Sequence, residues 1–399
     1  MTTTINNEHK KLNVPNLRFP DFRGEWKEER LSDIADLYKG SGISKDQLSV
    51  DGEPCILYGE LYTKYKSETI KEVISKTSID NTKLVRSKAN DVIIPCSGET
   101  AEDIATARCV LNDNILLGGD LNIIRLHGHD GSFMSYQLNG KRKYDIAKVA
   151  QGVSVVHLYG EHLKGVRTIN PSFDEQKKIS SLLALLDERI ATQNKIIEDL
   201  KKLKSAIIEN EYSNKTKNIS RLGDFIEQIS KRNKDRAIHN VLSVSNSQGF
   251  IQQSEQFENR IVASDDTSNY KIVERNHFAF NPARINVGSI ACLTTFERGI
   301  VSPMYICFRT KDCLSPEYLD YYFESKQFFT EIQKRLEGSV RQCLSFEGLC
   351  NIPFYLPAVE IQQQIGKRLS ALAQEIKLET DFLELLQKQK NFLLHKMFI

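Results

Sequence analysis

The sequence predicts an α+β protein with two similar globular domains and two long helices, in the order domain, helix, domain, helix. Three observations carry this prediction: an internal repeat, an apolar heptad pattern that occurs twice, and short strand-like runs between the heptads. The predicted segments are a disordered tail (1–13), a first domain (14–169), a first helix (170–213), a second domain (214–355) and a second helix (356–399).

The internal repeat has an offset of 186 residues, which aligns Pro171 with Pro357 and stays in register to the C-terminus. Upstream, "ANDVIIP" at 89–95 corresponds to "RNHFAFN" at 275–281 with the same offset. Between such landmarks the loop sequences of the two domains differ heavily. We infer a duplicated scaffold whose two copies display different surfaces.

Both predicted helices carry apolar residues at alternating spacings of three and four, which is typical of a coiled-coil seam. The seam residues are Ile179, Leu183, Leu186, Ile190, Ile197, Leu200 and Ile207 in the first helix and Ile365, Leu369, Leu372, Ile376, Leu383, Leu386 and Leu393 in the second. Polar residues interrupt both seams at the same two positions, as Gln193 and Lys204 and as Glu379 and Lys390. We interpret the two lysines as determinants of register.

The predicted helices have about 42 residues each and would be about 60 Å long. We expect them to form an antiparallel coiled coil, with a pseudo-twofold axis relating the two halves. Two globular domains held apart by a rigid coiled coil suit a linear polymer that is read at two points, as symmetric DNA-binding proteins read DNA. A length of 60 Å covers on the order of 17 base pairs, and two different domains would read a bipartite, asymmetric sequence.

The domains themselves are predicted to mix strands and helices. Short apolar runs bounded by Gly, Pro, Asn or Asp have the strand pattern, and they are "ADLYKG", "DVIIPC", "LNIIRL", "FAFNP", "IACLTTF" and "MYICFRT". Helical spacing is found in "SFMSYQLNG" and in the longer run "PEYLDYYFESKQFFTEIQKRL".

The composition, with 40% hydrophobic and 27% charged residues, is that of a soluble globular protein. No apolar run approaches the roughly 18 residues of a membrane span, and the first residues do not resemble a secretory signal. The eight cysteines form no CxxC pair, so we expect reduced thiols and a cytoplasmic protein. The net charge of +2 does not by itself indicate nucleic acid, although basic segments occur at 61–68, 140–145 and 231–236.

No pattern in the sequence predicts a catalytic, cofactor or metal site. There is no GxxxxGK[ST] phosphate loop, and "FNPARIN" at 280–286 lacks the second proline and the aromatic of a base-flipping methyltransferase loop. His157 and His162 are five residues apart and have no third ligand candidate nearby. We therefore interpret the chain as a binding subunit rather than an enzyme.

Three segments follow a pattern known from one protein family: "VPNLRFPDFRGEWKEERLSDIADLYKGSGIS", "GVSVVHLYGEHLKGVRTINPSFDEQKKI", and the counterpart of the second segment in the second half. Through these segments the chain resembles the specificity subunit of type I restriction-modification systems. The family pattern has a proline-rich, EQ-containing entry before each long helix. Here the first entry is "PSFDEQKKI", whereas the second, "PAVEIQQQI", has Ile361 in place of the Glu.

The resemblance implies that the two domains are target recognition domains, one for each half of a bipartite site in double-stranded DNA. The helices would space them and dock two DNA-methyltransferase (modification) subunits, with restriction/translocase subunits completing the complex and no membrane involved. S-adenosylmethionine, ATP and Mg are then expected in the partner subunits, and no cofactor in this chain.

We predict the DNA contacts from polar, basic and aromatic residues on loops, because base edges and phosphates are read by such side chains. In the first domain they are Tyr62, Lys64, Tyr65, Lys66, Ser97, Thr100, Arg142, Ser154 and His157. In the second domain they are Ser245, Asn246, Gln248, Arg284, Asn286, Arg341 and Gln342. Tyr62 and Tyr65 could instead pack on the domain.

Two other functions stay open at this point. A standalone nuclease or methyltransferase would be active as a purified chain, but it would need catalytic motifs that we do not find. A scaffold with a coiled coil for proteins and heads for peptides or sugars would explain the helices, but not heads with one framework and diverged loops.

Overall fold

A computed structural model describes residues 12–80, 83–152, 155–213, 219–246, 248–253, 266–338 and 342–399. Most of the predicted tail, residues 1–11, therefore lies outside the described residues. The chain divides into two compact units, the first comprising Met1–Asn194 and Asp381–Ile399 and the second Lys195–Thr380. Among the described residues, no helix is both long and apolar enough to span a membrane.

The described part of the first unit contains thirteen strands, six short helices and the start of a long one. The strands are β1 (Lys27–Arg30), β2 (Ala35–Lys39), β3 (Leu48–Ser49), β4 (Glu53–Ile56), β5 (Thr69–Ile70), β6 (Ser75–Thr77), β7 (Asp91–Pro95), β8 (Ser97–Gly98), β9 (Arg108–Val110), β10 (Leu116–Leu117), β11 (Leu121–Leu126), β12 (Val156–His157) and β13 (Arg167–Asn170). The helices are α1 (Leu31–Ile34), α2 (Glu60–Thr63), α3 (Ala101–Ile104), α4 (Gly131–Asn139), α5 (Lys143–Val149), α6 (Gly160–Leu163) and the long helix α7 (Phe173–Tyr212).

The described part of the second unit has ten strands, three short helices and the start of the second long helix. The strands are β14 (Ile219–Arg221), β15 (Ile226–Ile229), β16 (Val241–Ser245), β17 (Gly249–Gln252), β18 (Lys271–Glu274), β19 (Phe278–Phe280), β20 (Ile290–Cys292), β21 (Arg298–Val301), β22 (Ile306–Thr310) and β23 (Pro353–Tyr355). The helices are α8 (Pro316–Tyr322), α9 (Lys326–Gln333), α10 (Phe346–Cys350) and the long helix α11 (Val359–Met397).

Each unit is built on the same arrangement of sheets, which confirms the predicted duplicated α+β fold. The main sheet has the order β2-β11-β7-β9-β5 in the first unit and β15-β22-β19-β20 in the second. A second sheet in each unit contains one parallel pair, β4 with β10 and β16 with β21. An antiparallel ladder joins the entry and exit strands in both, β1 with β13 and β14 with β23.

Equivalent backbone strain supports the duplication. Asn90 and Asn276, separated by the repeat offset, both adopt positive φ, at 80° and 67°. Each precedes an interior strand of its main sheet, β7 or β19. Asparagine tolerates the left-handed region better than most residues, so the same turn is kept in both copies.

The long helices run antiparallel where they meet inside each unit. In the first unit, the early residues Ile179 and Leu183 pack in one cluster with Met397 and Phe398, at the far end of α11. In the second unit, the late residue Ile208 packs with Ile365, near the start of α11. All fourteen apolar seam residues are buried or half-buried.

Each seam lysine contacts the globular domain that precedes the other long helix. Lys390 lies 2.7 Å from Glu68 and 2.6 Å from Asp187 in the first unit. Lys204 lies 2.7 Å from Glu324 in the second unit. Because both partners in the globular domains are acids, the lysines fasten helix to domain, a role beyond the register that the heptads suggested.

The glutamine of each helix entry fixes the start of its helix in the same way. Gln176 donates to Pro171 O (2.9 Å) and accepts from the backbone N–H of Asp130 (2.9 Å). Gln362 donates to Pro357 O (2.9 Å) and accepts from the backbone N–H of Ser315 (2.8 Å). Both acceptor bonds reach the N-cap residue of a domain helix, α4 or α8.

The missing Glu of the second entry has a structural explanation. Glu175 is 1% exposed and forms two bonds of 2.8 Å with Arg18 in the segment before β1. Ile361, its counterpart in the repeat, is 46% exposed. The carboxylate binds the N-terminal segment, which packs on the first unit through residues such as Trp26.

One predicted helical run is divided. Residues 316–336, expected to be continuous, form α8 and α9, with a break before Ser325. The Ser325 hydroxyl accepts from the backbone N–H of Phe328 (3.2 Å) and caps α9. A serine cap competes with helix continuation, and the apolar spacing alone does not show this.

Candidate nucleic-acid interface

Three loops of the first unit meet at one end of its main sheet. The third of them (151–158), a hairpin whose described residues are 151, 152 and 155–158, is closed by a bridge between Gln151 and His157. Leu158 N–H donates to Cys96 O (2.8 Å), which joins this hairpin to the loop after β7. The Tyr62 hydroxyl donates to Ser97 O (3.3 Å), which joins that loop to α2. We call these three loops (57–63, 96–104 and 151–158) the loop surface of the first unit.

The second unit repeats this junction at the equivalent positions. Glu337 bridges Cys343, and Leu344 N–H donates to Pro282 O (3.0 Å). Every one of these residues lies 186 positions after its counterpart in the first unit. The backbone of the two surfaces is therefore alike where the loops are tied together, although the side chains differ.

The remaining loop of the second unit lies against the others through close contacts near its strand. Ser289 Oγ lies 3.4 Å from Val244 O, at the end of β16. A Cβ placed on Gly288, whose φ is +91°, would lie 3.9 Å from Asn246 Cβ. Residues 246–248, 281–289 and 337–344 thus form the loop surface of the second unit, with 247 and 339–341 outside the described residues.

A cavity of about 630 Å³ lies within the loop surface of the first unit. The rings of Tyr58 and Tyr62 and the carboxylates of Glu99 and Asp103 are among its walls. Burial raises the pKa of Tyr62, so its hydroxyl keeps its proton at neutral pH. Among the described residues, no arginine or lysine lines this cavity, which consequently offers mainly hydrogen-bond acceptors to a ligand.

Several predicted contact residues lie on the loop surface of the first unit. Tyr62, Ser97 and His157 are half-buried or exposed there, and Thr100 is exposed as the cap of α3. The Thr100 hydroxyl is engaged with Asp103, accepting from its backbone N–H (3.1 Å) and donating to its carboxylate (2.6 Å). Ser154 lies outside the described residues.

The lysines beside this surface differ in how freely they can contact a ligand. Lys64 is bound to the buried Glu60 (2.7 Å) and to Ser75 (2.6 Å), so its ammonium group is already paired within the domain. Lys66 is exposed and donates only to the backbone carbonyl of Tyr62 (3.1 Å) among the described residues. Lys66 is consequently the better candidate for a phosphate contact.

Two predicted contact residues do not lie on the loop surface of the first unit. Tyr65 is 6% exposed and belongs to the core cluster around Ile56 and Ile70, so the packing alternative applies to it. Arg142 lies away from the three loops, pairs with Asp145 (3.4 Å) and donates to Ile399 O (3.3 Å). Polarity and loop-like surroundings do not distinguish such positions, because burial depends on contacts between residues distant in sequence.

In the second unit, the described contact candidates fall on its loop surface or at its edge. Asn246, Gln248, Arg284 and Gln342 are exposed there, and Ser245 and Asn286 are half-buried. Arg341 lies outside the described residues.

Exposed apolar residues lie beside these polar ones, and they are not among the contact residues predicted from the sequence. Val155 is 53% exposed and lines the cavity of the first unit. In the second unit, Val287 is 56% exposed, and Met304 is 60% exposed beside Asn281. Apolar side chains contact the thymine methyl group in the major groove, so apolar residues on turn-forming loops were a usable signal.

Comparison with known proteins decides the family. The family model described as the type I restriction modification DNA specificity domain matches residues 23–202 and 214–388, once in each half. The chain belongs to this family. It is a specificity subunit, the DNA-recognition subunit of a type I restriction-modification system, and it is not a catalytic subunit.

Relatives of similar length agree with this assignment. The chain is 22% identical over 406 residues to the type I restriction enzyme MjaVIII specificity subunit of Methanocaldococcus jannaschii, covering 94% of this chain and 92% of the relative. A crystal structure of a type I restriction-modification S subunit from M. genitalium has a TM-score of 0.63 at 17% identity and covers 97% and 99% of the two chains. A chain from a study of assembly and conformational transition of the type I R-M system has a TM-score of 0.53 at 13% identity, covering 94% and 97%. The two structural likenesses show a common fold.

Proposed function

We propose that this specificity subunit recognises a bipartite site in double-stranded DNA, with one half of the site read by the loop surface of each unit. The observation that carries the proposal is the repeated loop junction: one backbone arrangement occurs twice and presents different side chains each time. A protein that needed a symmetric target would keep the same contact residues in both copies, as two identical subunits do.

The chemistry of the two surfaces supports two different half-sites. The second unit offers Asn246, Gln248 and Asn286, the side-chain type that pairs with adenine, together with the apolar Val287. The first unit offers carboxylates and tyrosines around its cavity, and carboxylates accept from cytosine N4. Acidic groups also repel phosphates, so they favour a correct base edge over non-specific contact.

We further propose that the long helices dock two modification subunits, and that restriction subunits join the same complex. Within each unit the helices keep large apolar side chains exposed in spite of the buried seam. Examples are Leu185, Leu385 and Phe392 in the first unit and Leu203 and Leu378 in the second, with exposures between 49% and 66%. S-adenosylmethionine, ATP and Mg would act in those partners and not in this chain.

Mapping of methylated adenines tests the proposal. A host that carries the modification genes with and without this gene should show a two-part motif that requires the gene. Changing Arg284→Gln and Asn286→Ala together should alter or relax one half of the motif and leave the other half intact, because these residues lie on the loop surface of the second unit alone.

A matched control comes from the same unit. Lys311→Gln changes an exposed charge just after β22, at the opposite end of that strand from the loop surface, and should leave the motif unchanged. A continuous motif without a gap, or a change in both halves from the second-unit variant, would contradict the bipartite proposal.

A further inference from the structure

The first unit contains a second cavity, separate from the one in its loop surface. It has a volume of about 470 Å³ and lies between α5, α6 and the ladder of β1 with β13. Its charged or titratable lining residues are Glu28, Arg142, Asp145, Lys148, His162 and Arg167. Basic side chains therefore outnumber acidic ones in its walls.

The acidic residues of this cavity are already neutralised. Arg167 lies 2.6 Å from Glu28, and Arg142 lies 3.4 Å from Asp145. Lys148 has no carboxylate within 4 Å in the described part of the chain and lies over the ring of Tyr144 (5.8 Å). One positive charge is thus left to attract an anion into the cavity.

Two nitrogen atoms in the cavity walls lack hydrogen-bond partners. Arg142 Nε and His162 Nδ1 are both buried, and neither is bonded within the described structure. Buried polar groups are nearly always paired in folded proteins, so two orphans in the same cavity wall call for an explanation. Both nitrogens can donate, and an anion in the cavity would offer them an acceptor.

Three aromatic rings link the cavity wall to the loop surface of the first unit. His157, in the hairpin of that surface, stacks on Tyr159 at 6.1 Å between ring centroids. Tyr159 in turn contacts His162 edge-on at 5.6 Å. Tyr159 is 53% exposed, so this connection runs along the outside of the unit.

We propose that this cavity seats one backbone phosphate of the DNA bound at the loop surface of the first unit, with Arg142, Lys148 and His162 as donors. The inference rests on the proposed function. A phosphate is favoured over an acidic side chain of a partner because the ring connection leads from the cavity to the DNA-reading loops. Such a contact positions the duplex and carries no sequence information.

The experiment uses the specificity subunit assembled with its modification subunits and measures affinity for the cognate duplex over a range of salt concentrations. Lys148→Gln is the test variant because Lys148 is exposed and has no ion pair to lose. Removing one phosphate contact should lower the slope of log affinity against log salt by about 0.9, equivalent to an affinity loss of about eightfold at 0.1 M salt relative to 1 M. His162→Gln should weaken binding to cognate and unrelated DNA by the same factor.

Lys164→Gln is the matched control. Lys164 directly follows α6, one of the helices that border the cavity. It pairs with Glu161 (2.7 Å) and does not line the cavity, so its replacement should change neither the slope nor the affinity. An unchanged slope in Lys148→Gln would overturn the proposal, and so would a variant that changes the methylated motif, because that residue would then read a base. Weaker assembly with the modification subunits at an unchanged slope would assign the cavity to a partner's acidic side chain. If the wild-type complex showed no sequence preference at all, the proposed function itself would fail.

Discussion

Replacing Lys390 with methionine removes the cation from a buried network in the first unit. Lys390 Nζ lies 2.7 Å from Glu68 and 2.6 Å from Asp187, and the three side chains are 16%, 12% and 8% exposed. Although burial opposes it, attraction by the two carboxylates raises the pKa of Lys390, so the ammonium stays charged. Methionine keeps the hydrocarbon volume and removes only the charge and its hydrogen bonds.

The expected cost follows from what is left behind. Breaking a buried ion pair from one side costs about 3–5 kcal/mol, because the remaining charge is buried without compensation. Tyr136 and Ser67 still donate to Asp187 Oδ2, at 2.7 Å and 3.0 Å, and soften the loss. We therefore expect a destabilisation of the first unit by about 3 kcal/mol, the lower end of that range.

The assay uses the single tryptophan of the chain. Trp26 is 2% exposed in the cluster with Phe133 and Phe398, so its fluorescence reports unfolding of the first unit. With an m-value of about 2 kcal/mol/M in urea, the midpoint should fall by about 1.5 M.

Lys204→Met is the matched control, since it occupies the same position of the repeat. Its partner Glu324 is 48% exposed, so that pair is worth about 1 kcal/mol or less, and the change falls in the second unit. A midpoint for Lys390→Met within about 0.2 M of the wild type, given the same m-value, would refute the reasoning that the seam lysine neutralises a buried acid pair.

Gln176→Ala and Gln362→Ala should each destabilise their own unit by about 1–3 kcal/mol, because a half-buried backbone N–H loses its acceptor. Hydrogen exchange at the two helix starts checks this. Burial raises the pKa of Asp320 to about 6, above its unfolded value of about 3.9. Between these two pH values the native state binds a proton that the unfolded state does not, so the second unit should gain stability as the pH falls through 6. Asp320→Asn should abolish this gain, as measured by urea titrations at two pH values. Lys66→Glu should weaken binding of the cognate duplex and reduce its salt dependence in gel-shift assays; unchanged affinity would remove the segment after α2 from the interface. One heptad inserted into both long helices should lengthen the gap of the methylated motif, and an unaltered motif would exclude the helices as a spacer.

The duplication and the helix pair could be predicted from the sequence because they depend on patterns local to the chain. A heptad needs only side chains three and four residues apart, and a repeat needs only two similar segments. The six predicted strand runs all contain strands, from β2 at Ala35–Lys39 to β22 at Ile306–Thr310. Local alternation and flanking turn residues suffice for such elements.

The contact residues could be predicted only in part, because their role depends on where separate loops meet. The offset of 186 placed equivalent loops in both domains, but only the folded chain shows that Tyr62 reaches Ser97. Tyr65, three residues from Tyr62, turns into the core. The predicted contact residues do not include exposed apolar residues such as Met304, because the prediction uses polar, basic and aromatic side chains.

The sequence by itself determined the order of domains and helices, the seam and the family resemblance, all of which rest on periodicity and repeated motifs along the chain. Only the tertiary structure decided that Lys390 neutralises a buried acid pair, that Glu175 holds Arg18, and that Arg142 lines a cavity beside the loop surface. The physical reason is that a charged side chain looks the same in any sequence. Its partner, its burial and so its energy are fixed by residues that folding brings from more than a hundred positions away.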